Sequence, residues 1–230
     1  MKKILVFGVG SDLIFELIRM ISLSDKDLSF TFISSNLSNK KKYSFLKCKT
    51  EFLIIDYNDN FENKVSSILE NEKYDEIYIP NGYLPSSNSS SETNRSLLIN
   101  YLVPIRFINL IVHHYKGQGT RIISFSSPAA DRPRKSNFVY GSHKALLEFT
   151  IKGLRLHYPN ISFVIVKPGP TKTKMTKNYL GFKHNKSTVL KSLFLQLNLG
   201  FENIYAPFYW RLIMTVIILI PDRIFKYLKF

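Results

Sequence analysis

Short apolar runs alternate with segments of helical periodicity along most of the chain. Six apolar runs predict β-strands over residues 4–7, 29–34, 51–55, 76–79, 121–125 and 162–166. Between them, apolar residues spaced three and four positions apart predict amphipathic helices over 13–21, 61–69, 96–113 and 142–157. Because strands that alternate with helices form parallel sheets covered on both faces, the pattern predicts a doubly wound α/β fold.

The chain is long enough for one sizeable domain. It has 230 residues, of which 45% are hydrophobic, and this composition supports a full core. No internal repeat is visible, and the serine-rich patch over 85–91 is too short to be a linker. We predict one folded domain over residues 1–200 and an apolar, amphipathic helical segment over 201–230.

The charge balance is strongly basic. Thirty-two Lys and Arg against 17 Asp and Glu give a net charge of +15, which favours phosphorylated ligands, anionic lipid or nucleic acid as partners. The single cysteine, Cys48, permits no internal disulfide, and Met1-Lys2-Lys3 runs straight into the first predicted strand without a secretory leader. A cytosolic or cytosol-facing protein is therefore expected.

A glycine-containing turn follows the first predicted strand. It reads Gly8-Val-Gly10-Ser11-Asp12-Leu13 and leads directly into a predicted helix. Backbone amides at a helix N-terminus can approach a pyrophosphate closely where no Cβ obstructs them. The turn therefore predicts a nucleotide site, with an ordinary strand-to-helix turn as the alternative interpretation.

Tyr140 and Lys144 lie four residues apart at the start of a predicted helix, with Ser126 and Ser127 upstream. Residues at this spacing share one helical face, so the lysine ammonium is expected to lower the pKa of the phenol. A buried phenol made acidic in this way is a proton donor for carbonyl reduction. The alternative is a chance pair on a solvated helix face.

Together these motifs resemble the short-chain dehydrogenase/reductase family, over nearly all of residues 3–176. That family has a glycine-rich first turn, an aspartate after the third strand, a glycine after the fourth, an asparagine in the next helix, a serine after the fifth, a Tyr-x-x-x-Lys pair and a Pro-Gly after the sixth. The matching residues here are Gly8, Asp56, Gly82, Asn100, Ser127, Tyr140 with Lys144, and Pro168 with Gly169. The later two glycines of the family's first turn are replaced here by Asp12 and Ile14.

The resemblance implies a Rossmann-type fold and assigns catalytic roles to four residues. Tyr140 would be the general acid, and Ser127 would hydrogen-bond the substrate oxygen. Lys144 would lower the phenol pKa and bind the nicotinamide ribose, while Asn100 would hold the helix and an ordered water. The family also implies a nicotinamide cofactor, and no metal is expected.

The resemblance further assigns a set of cofactor-binding residues: Gly8, Gly10, Ser11, Asp12, Leu13, Ser35, Asp56, Gly82, Tyr140, Lys144, Pro168, Gly169, Thr171 and Thr173. Asp56 would contact the adenine amino group, and the two threonines would lie near the nicotinamide amide. No acid stands at residues 34–36, where a carboxylate would repel the 2′-phosphate, and Lys40, Lys41 and Lys42 follow. We predict NADP as the cofactor, with NAD as the alternative.

Two further segments bear on the substrate. Residues 167–186 contain six lysines and no acid, which indicates either a solvated loop or a phosphate trap over the active site. The tail combines aromatic residues, an apolar stretch over 212–220 and a basic end, so it suits a membrane interface without being long enough to span one. A core helix or dimer-interface helix is the alternative.

The tail also resembles the ends of reductases that act on a lipid-linked pentose, the decaprenylphosphoryl-2-keto-ribose reductase-like branch. The favoured hypothesis is an NADPH-dependent reductase of a keto group on a phosphorylated or polyprenyl-linked sugar in cell-surface polysaccharide assembly. We expect a homo-oligomer that binds no nucleic acid and lies in the cytoplasm or on the inner face of the cell membrane. The alternatives are a soluble ketoreductase of lipid or acyl substrates and a cofactor-binding module without turnover.

Overall fold

The computed structural model describes residues 1–57, 60–115, 119–177, 179 and 181–228. Seven strands form one parallel sheet: β1 Lys2–Phe7, β2 Leu28–Ser34, β3 Lys49–Ile54, β4 Glu76–Ile79, β5 Arg121–Phe125, β6 Ser162–Pro168 and β7 Asn203–Ala206. Their order in the sheet is β3-β2-β1-β4-β5-β6-β7. The predicted doubly wound parallel sheet is confirmed.

In the described part of the chain, eight α-helices connect the strands or follow them: α1 Asp12–Ser24, α2 Phe61–Asn71, α3 Ser90–Leu97, α4 Val103–Tyr115, α5 Phe138–His157, α6 Lys186–Asn198, α7 Trp210–Leu219 and α8 Asp222–Phe225. Short 3-10 turns occupy Leu37–Tyr43 and Pro128–Ala130, and one π-helical turn, Leu98–Leu102, joins α3 to α4. The sequence predicts a single helix over 96–113. The structure instead has two α-helices joined by a π-helical turn that contains Asn100.

The core lies on both faces of the sheet. Ile4 and Val6 point to the face covered by α1 and α6, whereas Leu5 and Phe7 point to the face covered by α2, α4 and α5. Successive side chains on a strand alternate between faces, so a strand buried on both sides is a continuous apolar run. This explains why the periodicity located β1 so closely.

The last strand and the helix before it were not predicted. Strand β7 is only four residues long and pairs with β6, with Ile204 opposite Val166 and Ala206 opposite Pro168. Strand β7 lies beyond residue 200, so the sheet extends into the segment after that point. Residues that follow it are hydrogen-bonded into the same fold.

Among the described residues, one helical run, Ser90–Tyr115, is long and apolar enough by length and composition to cross a membrane. Its apolar side chains Val103, Phe107 and Ile111 belong to the core beneath the sheet. Burial in the core is the simpler reason for their composition.

The sheet order reverses between β1 and β4. Strands β2 and β3 lie on one side of this point, and β5, β6 and β7 lie on the other. In open parallel sheets, the crevice outside the carboxyl ends of the strands at such a reversal is the usual place for a ligand. The turn after β1 and the loop after β4 meet there.

Candidate active site

A cleft with two connected halves opens at this reversal point. One half, here the glycine-turn half, is lined by Gly8, Gly10, Asp12 and Ser35 among others. The other, the tyrosine half, contains Tyr140. Ser11, Leu13, Asn81, Gly82 and Thr173 line both halves and join them.

The turn after β1 is shaped for a close approach of the loop after β4. Gly8 has a φ of +101°, and a Cβ placed there would lie 2.9 Å from Asn81 Oδ1. A side chain at residue 8 would therefore be strained and would also collide with Asn81. Asn81 Oδ1 is buried and has no hydrogen-bond partner in the described part of the chain.

Helix α1 begins at this turn and directs its N-terminal end to the cleft. The side chain of its N-cap residue, Ser11, makes no capping hydrogen bond. The first-turn amides of a helix lack intrahelical partners and favour an anion. Together with the absent Cβ at Gly8, this arrangement fits the pyrophosphate of a dinucleotide.

The predicted catalytic groups meet in the tyrosine half. Ser127, Tyr140 and Lys144 all line it, at the end of β5 and on the first turns of α5. Lys144 Nζ lies 6.0 Å from the centroid of the Tyr140 ring. The ammonium donates hydrogen bonds of 2.7 Å to the Asn81 carbonyl and 2.8 Å to the Phe125 carbonyl, and the residue is 1% exposed.

The electrostatics of this pair differ from the prediction. Burial raises the pKa of Tyr140 to about 12, and the hydroxyl of Ser127 offsets part of that rise. Burial lowers the pKa of Lys144 to about 7, partly opposed by the carboxylate of Glu148. The predicted lowering of the phenol pKa by Lys144 is therefore wrong here, because desolvation dominates and the ammonium is directed at two backbone carbonyls. A phenol that keeps its proton through neutral pH remains available as a donor.

Asn100 lies behind the cleft rather than in its lining. It is fully buried, its Oδ1 accepts from the Tyr83 backbone N–H at 2.9 Å, and its Nδ2 donates to the Tyr83 carbonyl at 2.7 Å. Nδ2 also lies 2.9 Å from Ser96 Oγ, which is 2.9 Å from His143 Nδ1. Asn100 thus fastens the loop after β4 to the π-helical turn, and its predicted catalytic role stays a prediction.

Thirteen of the 14 predicted cofactor-binding residues line the cleft, and Asp56 does not. Its neighbour Tyr57 lines the glycine-turn half instead, together with Asn39. Sequence reasoning missed both residues. Tyr57 was next to a matched position, but nothing in the pattern indicated which of the two side chains would face the cleft.

The tail covers the far side of the tyrosine half. Trp210, the first residue of α7, lines this half and donates from Nε1 to His184 Nε2 at 2.7 Å. A Cβ on Gly169 would collide with the indole, so the glycine permits this close contact. Arg132 is 6% exposed and donates to the Ile218 carbonyl at 3.1 Å and to Asp222 Oδ1 at 2.6 Å, which anchors the end of α7.

Most of the lysines predicted to form a phosphate trap are placed elsewhere. Lys167 belongs to β6 and is buried in ion pairs with Asp131 and Glu148. Lys174 lines the glycine-turn half, and the other four lysines of 167–186 line neither half. Among the described residues, no cluster of three or more His, Cys, Asp or Glu side chains could hold a metal ion.

Comparison with known sequences points to one family. Residues 82–182 match the profile of the family described as short chain dehydrogenase. An uncharacterised oxidoreductase of Streptomyces coelicolor is 29% identical over 114 residues, which is 48% of this chain and 45% of that protein. The matched region therefore spans just under half of the relative's length.

Solved structures share the fold over almost the whole chain. A short-chain dehydrogenase from Sphingobium yanoikuyae in complex with NADPH has a TM-score of 0.79 and 14% identity, covering 100% of this chain and 97% of that one. A short chain dehydrogenase from Burkholderia cenocepacia in complex with NADP has a TM-score of 0.75 and 17% identity, covering 96% and 100%. A 4-hydroxyisoleucine dehydrogenase complexed with NADH has a TM-score of 0.76 and 15% identity, covering 91% and 98%. At these identities the likeness concerns the fold.

Proposed function

We propose that this chain belongs to the short-chain dehydrogenase/reductase family and is an NADPH-dependent reductase of a keto group on a phosphorylated or polyprenyl-linked sugar. The observation that carries the reductase assignment is the convergence of Ser127, Tyr140 and Lys144 on one cleft that continues into the glycine turn. The related structures bound to NADPH, NADP and NADH support this class of cofactor.

The residues of the cleft fit a nicotinamide dinucleotide. The Gly8 turn and the N-terminus of α1 would hold the pyrophosphate, Lys144 the nicotinamide ribose, and Thr171 and Thr173 the amide end. Asn81 Oδ1, buried without a partner in the described part of the chain, would accept a hydrogen bond there. When bound, the reduced nicotinamide supplies the hydride.

The chain itself supplies the proton and the stabilisation of charge. As negative charge develops on the substrate oxygen, the Ser127 hydroxyl and the Tyr140 phenol, which line the same half of the cleft, would donate hydrogen bonds to it. Tyr140 then transfers its proton to that oxygen as the general acid. Lys144, held by two backbone carbonyls, orients this end of α5 against the loops after β4 and β5.

We predict that the protein binds NADPH at least about tenfold more tightly than NADH, a difference of about 1.4 kcal/mol. Ser34 and Asn39 stand at the end of β2 without a carboxylate, and the exposed Lys40, Lys41 and Lys42 follow on the 3-10 turn. Fluorescence titration of both cofactors measures the ratio, and added salt should narrow it because exposed charge pairs are screened.

Replacing Lys40, Lys41 and Lys42 by Gln should reduce the NADPH preference, while Lys26→Gln, before the start of β2, should leave it unchanged. Equal affinity of the unaltered protein for the two cofactors would show that these lysines do not bind the 2′-phosphate.

The proposed substrate class rests on the charge of the cleft and on the tail. The tail likeness to reductases of lipid-linked pentose supports a polyprenyl-linked sugar, and the exposed face of α7 supports access from a membrane. Leu212, Val216 and Leu219 are spaced as one helical face and are 64%, 63% and 76% exposed. Met214 and Ile217, on the other face, are buried against the body of the protein.

We further propose a cytoplasmic protein that binds peripherally to the inner face of the cell membrane and forms a homo-oligomer. Arg211 in α7, Arg223 in α8 and Lys226 just after α8 are exposed basic side chains close in sequence to the apolar residues of α7, a combination that suits an anionic lipid surface. Leu146, Phe149 and Leu156 form a separate exposed apolar row on α5 that a second copy could cover.

We expect the protein to float with anionic liposomes more than with neutral ones, and salt should partly release it. Changing Leu212, Val216 and Leu219 together to Glu should abolish flotation, because three charges would enter the apolar face. Leu23→Glu, on an equally exposed apolar residue of α1, is the matched control and should float normally. A soluble unaltered protein with no lipid binding would remove the structural support for a lipid-linked substrate.

A soluble ketoreductase of lipid or acyl substrates is the second candidate. The apolar residues Leu13, Leu84, Met175 and Trp210 in the tyrosine half favour it. A panel of a keto-sugar phosphate, its neutral counterpart and a β-ketoacyl thioester, assayed by NADPH oxidation, separates the two candidates. Absence of oxidation with every ketone would favour a cofactor-binding module without turnover.

A further inference from the structure

The tyrosine half of the cleft carries charge of one sign. Its charged lining residues are Arg134 and Lys144, and no Asp or Glu lines it among the described residues. The mechanism above uses Lys144 but not Arg134. Arg134 stands between the Pro128–Ala130 turn and α5, six residues before Tyr140.

Two neighbouring side chains, Tyr179 and Asp131, act on the charge of Arg134. Asp131, the acidic residue that acts on it, forms an ion pair with Lys167 and accepts from the Tyr205 hydroxyl at 2.9 Å. One contact of the guanidinium is Nη2 at 3.5 Å from Met214 Sδ, a weak acceptor. Burial lowers the pKa of Arg134, so an anion in the cleft would relieve the cost of holding this cation out of water.

A second polar group of the cleft lies one turn away. Asn137 donates its backbone N–H to the Arg134 carbonyl at 3.1 Å, and both residues line the tyrosine half. Asn137 Oδ1 is buried without a hydrogen-bond partner in the described structure. Buried acceptors are normally satisfied, so this oxygen suits a hydroxyl brought by a ligand.

We propose that Arg134 and Asn137 form the substrate-recognition site of the cleft, with Arg134 binding an oxyanion and Asn137 accepting from a neighbouring hydroxyl. The ligand class is a hydroxylated ketone that carries a phosphoryl or carboxylate group, which a guanidinium recognises through paired N–H donors. The ketone part of this ligand class rests on the proposed reductase function. The anion site is inferred from the positions of Arg134 and Asn137 alone.

The test is calorimetric binding to the protein saturated with NADP, using ethyl phosphate, glycerol 3-phosphate, propanoate and neutral glycerol as probes. Saturation removes the pyrophosphate site from the measurement. We expect one or both kinds of anion to bind and glycerol not to bind, and the comparison of ethyl phosphate with propanoate identifies the anion. Arg134→Gln should weaken anion binding at least about tenfold, because a charge-assisted contact is lost.

Lys135→Gln removes the same charge from the next residue, which does not line the tyrosine half, and should change affinity by less than about twofold. Arg134→Lys keeps the charge and should weaken binding less than Arg134→Gln, which preserves the test if the Gln variant fails to fold. Asn137→Ala should weaken the binding of glycerol 3-phosphate and leave the binding of ethyl phosphate unchanged.

Equal anion affinity in the unaltered protein and Arg134→Gln would overturn the proposal, as would no binding of either anion. NADPH oxidation with ketones is measured separately on the same protein variants, without added NADP. Anion binding that depends on Arg134 without turnover would contradict the reductase alone, whereas turnover without dependence on Arg134 would contradict the recognition site alone.

Discussion

Tyr140→Phe should lower the turnover of ketone reduction by at least about 100-fold, which is typical of a lost general acid. The substitution removes one oxygen and leaves the ring, so packing of α5 and the contacts of Lys144 should persist. NADPH affinity should therefore be nearly unchanged. Steady-state NADPH oxidation measures the turnover, and fluorescence titration measures the NADPH affinity. Together they separate a loss of chemistry from a loss of binding.

Tyr158→Phe is the matched control, because it removes a phenol at the C-cap of the same helix, away from the cleft. It should retain full activity. Turnover by Tyr140→Phe within a few fold of the unaltered protein would show that another group donates the proton.

Lys167→Met should reduce the free energy of unfolding by about 3–5 kcal/mol, the cost of breaking a buried ion pair from one side. Lys167 Nζ lies 2.7 Å from Glu148 Oε2, is paired with Asp131, and lies 3.2 Å from the Tyr205 hydroxyl. The side chains of Lys167, Glu148 and Asp131 are 7%, 6% and 9% exposed. Without the ammonium, two buried carboxylates would face each other unneutralised. Chemical denaturation of both proteins measures the difference.

The pH dependence of this loss has a definite sign. Burial already raises the pKa of Glu148, and Lys167 opposes that rise. In Lys167→Met the folded-state pKa should rise further above the unfolded value, so the folded state would take up a proton as the pH falls. The free energy of unfolding that Lys167→Met loses relative to the unaltered protein should therefore be largest near about pH 8 and smaller near about pH 5.

Lys152→Met, at an exposed position of α5, should change stability by less than about 0.5 kcal/mol. Glu148→Gln combined with Lys167→Met should recover part of the loss, since one unpaired charge is removed. A loss of free energy of unfolding under about 1 kcal/mol in Lys167→Met would mean that this buried ion-pair cluster contributes little to stability.

Much of the fold could be predicted because the parallel sheet is buried on both faces. Strands β1, β2, β4, β5 and β6 are apolar runs bounded by turns, and their predicted bounds agree with the structure within a few residues. Strand β7 is short and follows an exposed loop, so its four residues gave no periodic signal. Helix α6 was missed because its pattern followed a lysine-rich stretch interpreted as one loop.

The position of the candidate site could also be predicted, but its electrostatics could not. The spacing of Tyr140 and Lys144 indicated that they share a helical face, yet it contained no information on how deeply either is buried. Burial decided the direction of both pKa shifts. The same limit applies to Lys167, which the sequence assigned to either a solvated loop or a phosphate trap and which the structure places in a buried ion-pair cluster.

Contacts that join distant parts of the chain were the hardest to predict. Trp210 lines the same half of the cleft as Ser127, although the two residues are widely separated in sequence. The aromatic cluster of the tail indicated either a membrane interface or a core or dimer-interface helix, and it did not indicate that the first residue of α7 covers the cleft. The hydrophobic pattern of one segment does not show which other segment of the chain that segment packs against.

The most direct test of the central claim is transfer of the label from NADPH deuterated at C4 of the nicotinamide. The protein is incubated with this cofactor and the ketone panel, and the alcohol product is analysed by mass spectrometry. The account predicts one deuterium on the carbinol carbon of a phosphorylated keto sugar, and at least about 100-fold less labelled product with Tyr140→Phe. NADPH that binds to the cleft but labels none of the ketones would contradict the assignment as a reductase.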